Sequence, residues 1–167
     1  MAEATVSSDN INGGAGDESL FGTAGTDNIV GLEGNDSIDG AAGNDIVNGN
    51  KGADIVHGGS GDDTAYGGQG ADSVYGDLGD DRISGDRGND FLFGGAGADK
   101  FVMAAGFGQD WIADFSFEQG DRILLKPGTA YVVTSFQGQV VLDLGNGDTI
   151  GLVGQGTFNA DYVLFSN

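Results

Sequence analysis

The chain has no cysteine, one proline and only six basic residues among its 167 residues. Without cysteine it can form neither disulfides nor thiolate metal sites. The six Lys and Arg residues face 26 Asp and Glu, which gives a formal net charge of −20. Such self-repulsion opposes a compact state and disfavours nucleic acid as a partner. No apolar run is long enough to cross a bilayer, so we expect no membrane span.

The amino-terminal residues 1–12 have neither a basic start nor an apolar stretch. They do not match a Sec signal peptide. The chain is instead rich in glycine, with 34 residues. Glycine loses much backbone entropy on folding and adds nothing to a core, so this composition is typical of disorder unless cations offset the acidic charge.

Residues 13–102 divide into ten consecutive nonapeptides without an insertion. The first and fourth positions are glycine in all ten, and the sixth is aspartate in all but the first, which has Glu18. A fixed period of nine predicts a solenoid, in which each repeat buries its apolar face only against its neighbours. The eighth position is apolar throughout: Leu20, Ile29, Ile38, Val47, Val56, Ala65, Val74, Ile83, Leu92 and Phe101.

The repeat excludes a helix, because two glycines in every nine residues are unfavourable there and the apolar period is not 3.6. Each repeat suits a turn of six residues followed by a short strand whose middle side chain points inward. Two repeats then make one turn of a flattened coil. The sequence therefore predicts an all-β parallel β-roll with two nonapeptide repeats per turn and a C-terminal β cap. One inward residue per repeat cannot offset an ordering cost of about 1.5 kcal/mol per residue, so burial alone should not fold the roll.

In such a coil the aspartates of stacked repeats lie about one strand spacing apart and repel one another. A hard divalent cation between stacked turns removes that repulsion. Carboxylate and carbonyl oxygens at about 2.3–2.6 Å are the ligands that calcium prefers. Zinc prefers histidine or thiolate, and the chain offers only His57. Solvated Gly-Asp turns are the alternative for one repeat, but ten repeats in register favour calcium.

Residues 13–102 resemble the repeats-in-toxin (RTX) family. Its calcium-binding nonapeptide is Gly-Gly-x-Gly-x-Asp-x-U-x, in which x is any residue and U is an apolar one. The resemblance implies calcium-binding carboxylates at Asp27, Asp36, Asp45, Asp54, Asp63, Asp72, Asp81, Asp90 and Asp99. It also implies carbonyl ligands from neighbouring turns, for which the candidates are Gly31, Gly34, Gly40, Gly43, Gly49, Gly52, Gly58, Gly61, Gly67, Gly70, Gly76, Gly79, Gly85 and Gly88. Further candidate ligands are Glu18, Asp110, Asp114 and Asp121, for the last three of which turn or cap roles stay open.

Pairing each repeat with the next but one gives about eight possible inter-turn sites. Eight divalent ions would reduce the net charge from −20 to −4. We therefore expect calcium binding and folding to be coupled.

The expected organisation has three parts: a lead-in over residues 1–12, the β-roll over 13–102, and a cap over 103–167. The cap shows alternating apolar residues broken by glycine turns, which predicts antiparallel strands covering the open end. It resembles the segment that follows the repeats in RTX proteases and lipases. The final Asp161–Phe165 resembles the uncleaved signal of type I secretion machinery, and an ordinary last strand is the alternative.

No enzyme motif accompanies the repeats, since neither HExxH nor G-x-S-x-G occurs. We expect a non-catalytic, secreted or cell-surface module that folds on extracellular calcium. One alternative is the C-terminal domain of a secreted protease, lipase or polysaccharide epimerase, with an N-terminal catalytic domain as partner. Another is an adhesive protein that binds a surface polysaccharide.

The odd-numbered repeats place aromatic and apolar side chains on the outer face of one sheet. This outer stripe suggests a partner. We expect the chain's own terminal segment to cover it, and docking of a catalytic domain or a surface polymer is the alternative. Its members are Phe21, Ile55, His57, Tyr75, Phe91 and Phe93.

Overall fold

The computed structural model describes residues 8–153 and 158–165. These residues form two sheets, of eight and nine strands, and a 3₁₀ turn at Ala160–Tyr162. The prediction of an all-β parallel β-roll is confirmed. Nowhere in the described ranges is there a helix long and apolar enough to cross a membrane.

The eight-strand sheet is parallel throughout. Apart from its first and last strands, it is built from the even-numbered repeats and the segment that follows them. In spatial order its strands are β1 (Asn10–Asn12), β3 (Asn28–Glu33), β5 (Ile46–Lys51), β7 (Thr64–Gly70), β9 (Arg82–Gly88), β11 (Lys100–Met103), β13 (Arg122–Leu125) and β17 (Val163–Phe165).

The nine-strand sheet carries the odd-numbered repeats and ends in an antiparallel meander. Its only antiparallel pairs among the described residues are β14 with β15 and β15 with β16. In spatial order its strands are β14 (Val132–Phe136), β15 (Gln139–Gly145), β16 (Asp148–Leu152), β12 (Gln109–Ile112), β10 (Phe91–Ala96), β8 (Ser73–Leu78), β6 (Ile55–Ser60), β4 (Ser37–Asp39) and β2 (Ser19–Phe21).

Each strand in the repeats pairs with the strand two further along the chain. Ile29 lies beside Val47 in one sheet, and Val56 lies beside Val74 in the other. Because both steps are eighteen residues, two nonapeptides make one turn, as the sequence predicts.

The inward residues of the two sheets form one thin core. Every eighth-position side chain from Ile29 to Phe101 is fully buried. The strands are longer than predicted, because most begin at the seventh position of one repeat and continue to the third of the next. The pairing skips the position-one glycines, such as Gly31 and Gly49 between β3 and β5, and resumes at position two.

The parallel stacking extends beyond residues 13–102 on both sides. β1 joins the eight-strand sheet before the first repeat, and β12 and β13 continue the two sheets after the last one. The expectation that the segment after Val102 is antiparallel is therefore wrong for β12, β13 and β17, which all pair in parallel. Ile112 and Ile123 carry the buried row onward, so β12 and β13 behave as further turns of the roll. Only the three-stranded meander of β14, β15 and β16 has the expected antiparallel form.

The outer stripe of the nine-strand sheet stays open in the described part of the chain. Phe21 is 66% exposed and Phe91 is 53% exposed. The rings of His57, Tyr75 and Phe93 instead stack on one another, with centroids 4.4 and 4.5 Å apart. The expectation that the terminal segment covers this stripe is wrong for the residues that the structure describes.

Candidate calcium sites between the turns

The sixth-position carboxylates form two ladders, one along each edge of the roll. In each step the backbone N–H of one ladder residue donates to Oδ1 of the aspartate on the next turn, for example from Asp45 to Asp63 at 2.7 Å. One ladder runs through Asp9, Asp27, Asp45, Asp63, Asp81, Asp99 and Asp121. The other runs through Glu18, Asp36, Asp54, Asp72, Asp90 and Asp110.

The second oxygen of most ladder carboxylates is buried and has no hydrogen-bond partner. All nine aspartates at position six of the repeats are at most 2% exposed. A buried carboxylate oxygen without a partner is costly, because it has lost its water and gained nothing in return. The atoms in this state are Oδ2 of Asp36, Asp45, Asp54, Asp63, Asp72, Asp81, Asp90 and Asp99.

The position-one glycines leave room for these oxygens. A Cβ on Gly76 would overlap both Oδ2 of Asp81 and the carbonyl oxygen of Gly94 on the stacked turn. A Cβ on Gly58 would similarly lie 2.7 Å from Oδ2 of Asp63 and 2.8 Å from the carbonyl oxygen of Gly76. Each turn therefore brings an unpartnered carboxylate oxygen close to a backbone carbonyl.

The position-four glycines bring a second set of carbonyls to the same turns. Gly79 has φ of 137°, a backbone region that side chains rarely adopt. A Cβ there would overlap the carbonyl oxygen of Gly61 on the preceding turn. The resemblance implies that the carbonyl oxygens of both sets of turn glycines are calcium ligands. Both sets lie where the turns stack.

The donor set fits calcium better than a transition metal. Within residues 8–153 and 158–165, no three His, Asp or Glu side chains are grouped so as to hold a metal ion. A cation between two turns would depend on carboxylates of the ladder and on backbone carbonyls. Oxygen ligands in a flexible arrangement of this kind are what calcium accepts. Ligation of calcium by these particular residues stays a proposal.

Burial raises the pKa of the carboxyls in the middle of both ladders. The pKa of Asp63 and of Asp81 rises to about 6, and that of Asp72 and of Asp99 rises to about 7. Loss of water is the largest cause, and the charges of neighbouring carboxylates add to it. The pKa is raised, with the same leading cause, at Asp45, Asp54, Asp90 and Asp121.

Asp27 is different from the other eight aspartates at this position. Its Oδ2 accepts hydrogen bonds from the backbone N–H of Thr23 at 2.6 Å and from the Thr23 hydroxyl at 2.9 Å. Burial acts to raise the pKa of Asp27, but the hydrogen bonds from Thr23 and from the N–H of Asp9 outweigh it and lower the pKa. The second oxygen of Asp27, the first aspartate at position six, is therefore satisfied by hydrogen bonds from the protein itself.

The further candidates separate into ladder and turn positions. Asp110 and Asp121 are ladder members, although they follow their predecessors by 20 and 22 residues. Burial, followed by the charge of Asp90, raises the pKa of Asp110 to about 8. Glu18 begins the second ladder and accepts a hydrogen bond from the N–H of Gly14 at 3.1 Å.

Asp114 lies outside the ladders. Its two oxygens accept hydrogen bonds from the N–H groups of Gly94 and Gly95, at 2.8 and 2.9 Å. Of the roles left open for Asp114, this placement supports a turn role, because Asp114 follows β12, which continues the roll, and bonds to the tenth repeat.

Sequence reasoning missed Asp9 as a ladder member. The signal was present, because Asp9-Asn10-Ile11 repeats Asp27-Asn28-Ile29 eighteen residues earlier. The absence of the turn glycines before Asp9 concealed it. The first described ladder residue, Asp9, thus lies within the segment predicted as a lead-in.

A parallel β-roll with a row of buried, partly unsatisfied carboxylates along each edge defines a class of protein: a solenoid whose stacked turns present oxygen ligands of the kind that hard cations prefer. The model of the RTX calcium-binding nonapeptide repeat matches this chain in four copies, at residues 3–29, 21–56, 48–83 and 75–112. Together the copies cover well over half of the chain. The chain therefore belongs to the RTX calcium-binding nonapeptide repeat family.

Among solved structures, the chain is similar to the AlgE6R2 subunit of the mannuronan C5-epimerase of Azotobacter vinelandii. The two are 26% identical with a TM-score of 0.49, over 68% of this chain and 88% of that chain. The extracellular lipase LipA of Serratia marcescens is 18% identical with a TM-score of 0.43, over 99% of this chain and 41% of the lipase chain. The AlgE6R3 subunit of the same epimerase is 21% identical with a TM-score of 0.36, over 98% of this chain and 86% of that chain. No curated protein sequence matches the chain.

Proposed function

We propose that this chain is a non-catalytic module whose folding is driven by extracellular calcium bound between the turns of its roll. The observation that carries the proposal is the set of eight buried Oδ2 atoms without a partner, four on each ladder. A polar atom that has lost water and found no donor needs a compensating ligand. Calcium supplies positive charge and accepts several oxygen ligands at once.

The residues that would hold the ions are the aspartates from Asp36 to Asp99 together with carbonyls of the turn glycines. Each aspartate has one oxygen fixed by an amide of the preceding turn, as Asp54 has from Asp36 at 2.8 Å. Its other oxygen is thereby directed into the turn beside position-one glycine. The backbone orients the carboxylates, so little further ordering is needed when an ion binds.

Folding and calcium binding then form a single equilibrium. Without calcium, buried neighbouring carboxylates repel each other or must take up protons, and the core offers only one inward side chain per repeat. Extracellular modules bind calcium at about 10⁻⁴–10⁻³ M, far above the supply in a cytosol. The chain would stay unfolded before export and fold after it.

Export through type I secretion machinery is part of the proposal. It is supported by the likeness of Asp161–Phe165 to the signal of such exporters. Val163–Phe165 forms β17, which pairs only with β13 among the described strands and lies at the edge of its sheet. Leu164 and Phe165 are 45% and 52% exposed. In the folded protein this segment is the last strand of the cap, whereas the exporter would read it in the unfolded chain.

Circular dichroism during a calcium titration, in buffer stripped of metal, tests the proposed function. The strand signal should rise cooperatively with calcium, and magnesium at the same concentration should produce much less of it. A complete strand signal without calcium, or an equal response to magnesium, would show that the proposal is wrong.

A further inference from the structure

Five of the six basic residues of the chain lie in one small region of the eight-strand sheet. Arg82 and Arg87 are in β9, Lys100 is in β11, Arg122 is in β13, and Lys126 follows directly after it. β9, β11 and β13 are adjacent strands. On a chain with a net charge of −20, this concentration of positive charge needs an explanation.

Three of these residues form a row across the strands, which we call the basic row. Arg82 pairs with Lys100, and Lys100 pairs with Arg122. Neighbouring strands are about 4.8 Å apart. The next residue along each strand points into the core, since Ile83, Phe101 and Ile123 are fully buried. The row therefore lies on the outer face of the sheet.

No ion pair is recorded for the basic row among the described residues, although burial raises the pKa of Asp121 and the charge of the neighbouring Arg122 acts to lower it. Among the described residues the structure records ion pairs only for Lys51 with Glu33 and for His57 with Asp77. The Arg122 guanidinium lies 4.4 Å from the centre of the Phe117 ring and donates to the backbone carbonyl of Asp121 at 2.7 Å. Like charges opposite each other on neighbouring strands are destabilising. A bound anion would remove that cost.

We propose that the basic row is a docking track for a linear anionic polysaccharide, which lies across β9, β11 and β13 along the axis of the roll. The row presents one positive charge about every 4.8 Å. A polysaccharide with about one carboxylate or sulfate per sugar has a charge density of the same order. Arginine and lysine bind such groups through charge-assisted hydrogen bonds.

Charge density distinguishes this partner from nucleic acid. Double-stranded DNA carries one negative charge per about 1.7 Å of its axis. Three positive charges on an otherwise acidic protein cannot offset the repulsion that such a density meets elsewhere on the surface. A polysaccharide has fewer charges per unit length than DNA, so it meets less repulsion from the acidic surface and can still bind to the row.

Polar groups on the same sheet also suit a sugar chain. A groove lined by Asn48, Asn50, Gly68, Gln69, Asp86, Arg87 and Phe107 opens over the strands β5, β7 and β9. Its one carboxylate, Asp86, accepts a hydrogen bond from the Ser84 hydroxyl at 2.7 Å. Oδ1 of Asn48 is buried there and has no hydrogen-bond partner. Amide side chains can donate to and accept from sugar hydroxyls. The track thus combines charge recognition with neutral hydrogen bonding.

This inference rests on the proposed function in one respect. Arg82, Lys100 and Arg122 are 18 and 22 residues apart in the chain and come together only when the turns stack. Calcium between the turns would also reduce the repulsion that an anionic polymer meets. Polysaccharide binding should therefore require calcium.

The test uses fluorescently labelled oligogalacturonate, too short to gel with calcium, and measures its anisotropy with the whole chain at saturating calcium. A sulfated maltodextrin of equal length distinguishes sulfate from carboxylate, and unmodified maltodextrin is the neutral control. The wild type should bind at least one charged sugar, and added salt should weaken that binding. The variant Arg82→Gln/Lys100→Gln/Arg122→Gln should bind about tenfold more weakly or worse, since charge-assisted contacts are lost.

A matched variant carries the same change of net charge on the other sheet, at Ser19→Glu, Ser73→Glu and Ser135→Glu. It should bind the charged sugar within about twofold of wild type. Circular dichroism of the same samples shows whether each variant folds with calcium. If loss of Arg122 impairs folding, the double variant Arg82→Gln/Lys100→Gln takes its place.

Three results would overturn the track. They are unchanged binding by a folded row variant, equal binding of neutral maltodextrin, and tighter binding of a DNA duplex or an anionic vesicle than of either charged sugar. A chain that is fully folded without calcium yet binds through the row would refute the proposed function alone.

Discussion

The regular repeats and the segment that continues them, from β12 to β13, build the same ladder by different means. In the repeats each step is eighteen residues, and Oδ2 of each aspartate from Asp36 to Asp99 lacks a partner. In the continuation the steps are 20 and 22 residues, and Oδ2 of Asp121 accepts a hydrogen bond from the N–H of Ser116 at 2.7 Å. In the continuation a backbone donor therefore satisfies the second oxygen of Asp121, whereas we propose that a cation satisfies those of the repeats.

The other end of the roll follows the same rule. Thr23 satisfies Asp27 just as Ser116 satisfies Asp121. In the cap, Asp148 accepts from the N–H groups of Gly106 and Gly108, at 2.7 and 3.2 Å. The ends of the roll are closed by the protein's own donors, whereas we propose that the middle depends on calcium. Substitutions in the middle should therefore change calcium dependence, and substitutions at the ends should change mainly local stability.

The largest effect is expected from Asp63→Ala combined with Asp81→Ala, two neighbours on one ladder. This variant should need about tenfold more calcium to fold, or should not fold, because an inter-turn site loses both carboxylates. The midpoint of a calcium titration followed by circular dichroism measures the effect.

The matched control is Asp62→Ala with Asp80→Ala, one position earlier, where Oδ1 of Asp62 accepts from the N–H of Asp80 at 3.0 Å on the exposed edge. The control removes the same charge and should shift the midpoint much less. Equal shifts in both variants would mean that net charge, rather than the ladder, sets the calcium requirement.

Gly76→Ala should have the next largest effect. The added Cβ overlaps Oδ2 of Asp81 and the carbonyl of Gly94, which costs about 1–3 kcal/mol by overpacking and displaces calcium ligands. Its calcium midpoint should rise. Gly128→Ala in the cap introduces a Cβ that meets nothing within 4 Å, at φ of 84°. That variant should lose about 1–2 kcal/mol of local stability with an unchanged calcium midpoint, and a shift as large as that of Gly76→Ala would contradict the account.

Lowering the pH should partly replace calcium in stabilising the fold of the repeats. The pKa of Asp72 is about 7 in the metal-free roll, above its ordinary value of 3.8. A carboxyl with a raised folded pKa stabilises the fold most below its ordinary value, and that contribution is lost as the pH rises through the folded pKa.

The strand signal of calcium-free protein should therefore increase when the pH falls from about 8 to about 5. With calcium present, the same acidification should raise the calcium midpoint, because protons compete for the ligands. A strand signal that falls on acidification without calcium would reverse the predicted sign.

Thr23→Val should have the smallest effect of this series. It removes the hydroxyl that donates to Asp27 and accepts from the N–H of Gly25 at 3.2 Å, but it keeps the backbone N–H donor to Asp27. We expect a loss of about 0.5–1.5 kcal/mol for each of these two hydrogen bonds, seen as lower thermal stability at saturating calcium. The calcium midpoint should stay within about twofold of wild type, and a large shift would place Asp27 among the calcium-dependent positions.

The strict period made the middle of the ladders predictable. Asp63 lies between Asp45 and Asp81 because each is eighteen residues from the next, and no tertiary information is needed. Asp110 and Asp121 were uncertain, because the longer steps put the added residues into loops and obscure the register. The basic row shows the same limit, since the period links Arg82 with Lys100 but not with Arg122.

The closing donors could not be predicted from the sequence. Whether Thr23 or Ser116 reaches a carboxylate oxygen depends on the local path of a turn, which a residue pattern does not specify. The antiparallel meander was predictable from its alternating apolar residues, whereas β12 and β13 are parallel because Ile112 and Ile123 continue the buried row.

Residue-resolved hydrogen exchange, measured with and without calcium at neutral pH, tests the central claim most directly. The claim is that the middle of the roll needs calcium because the second oxygen of each of its ladder carboxylates has no other partner. Amides of β5 to β10 should be protected with calcium and should exchange freely without it. Strong protection of those amides in calcium-free protein would contradict the account, because the eight unpartnered oxygens would then be tolerated without a cation.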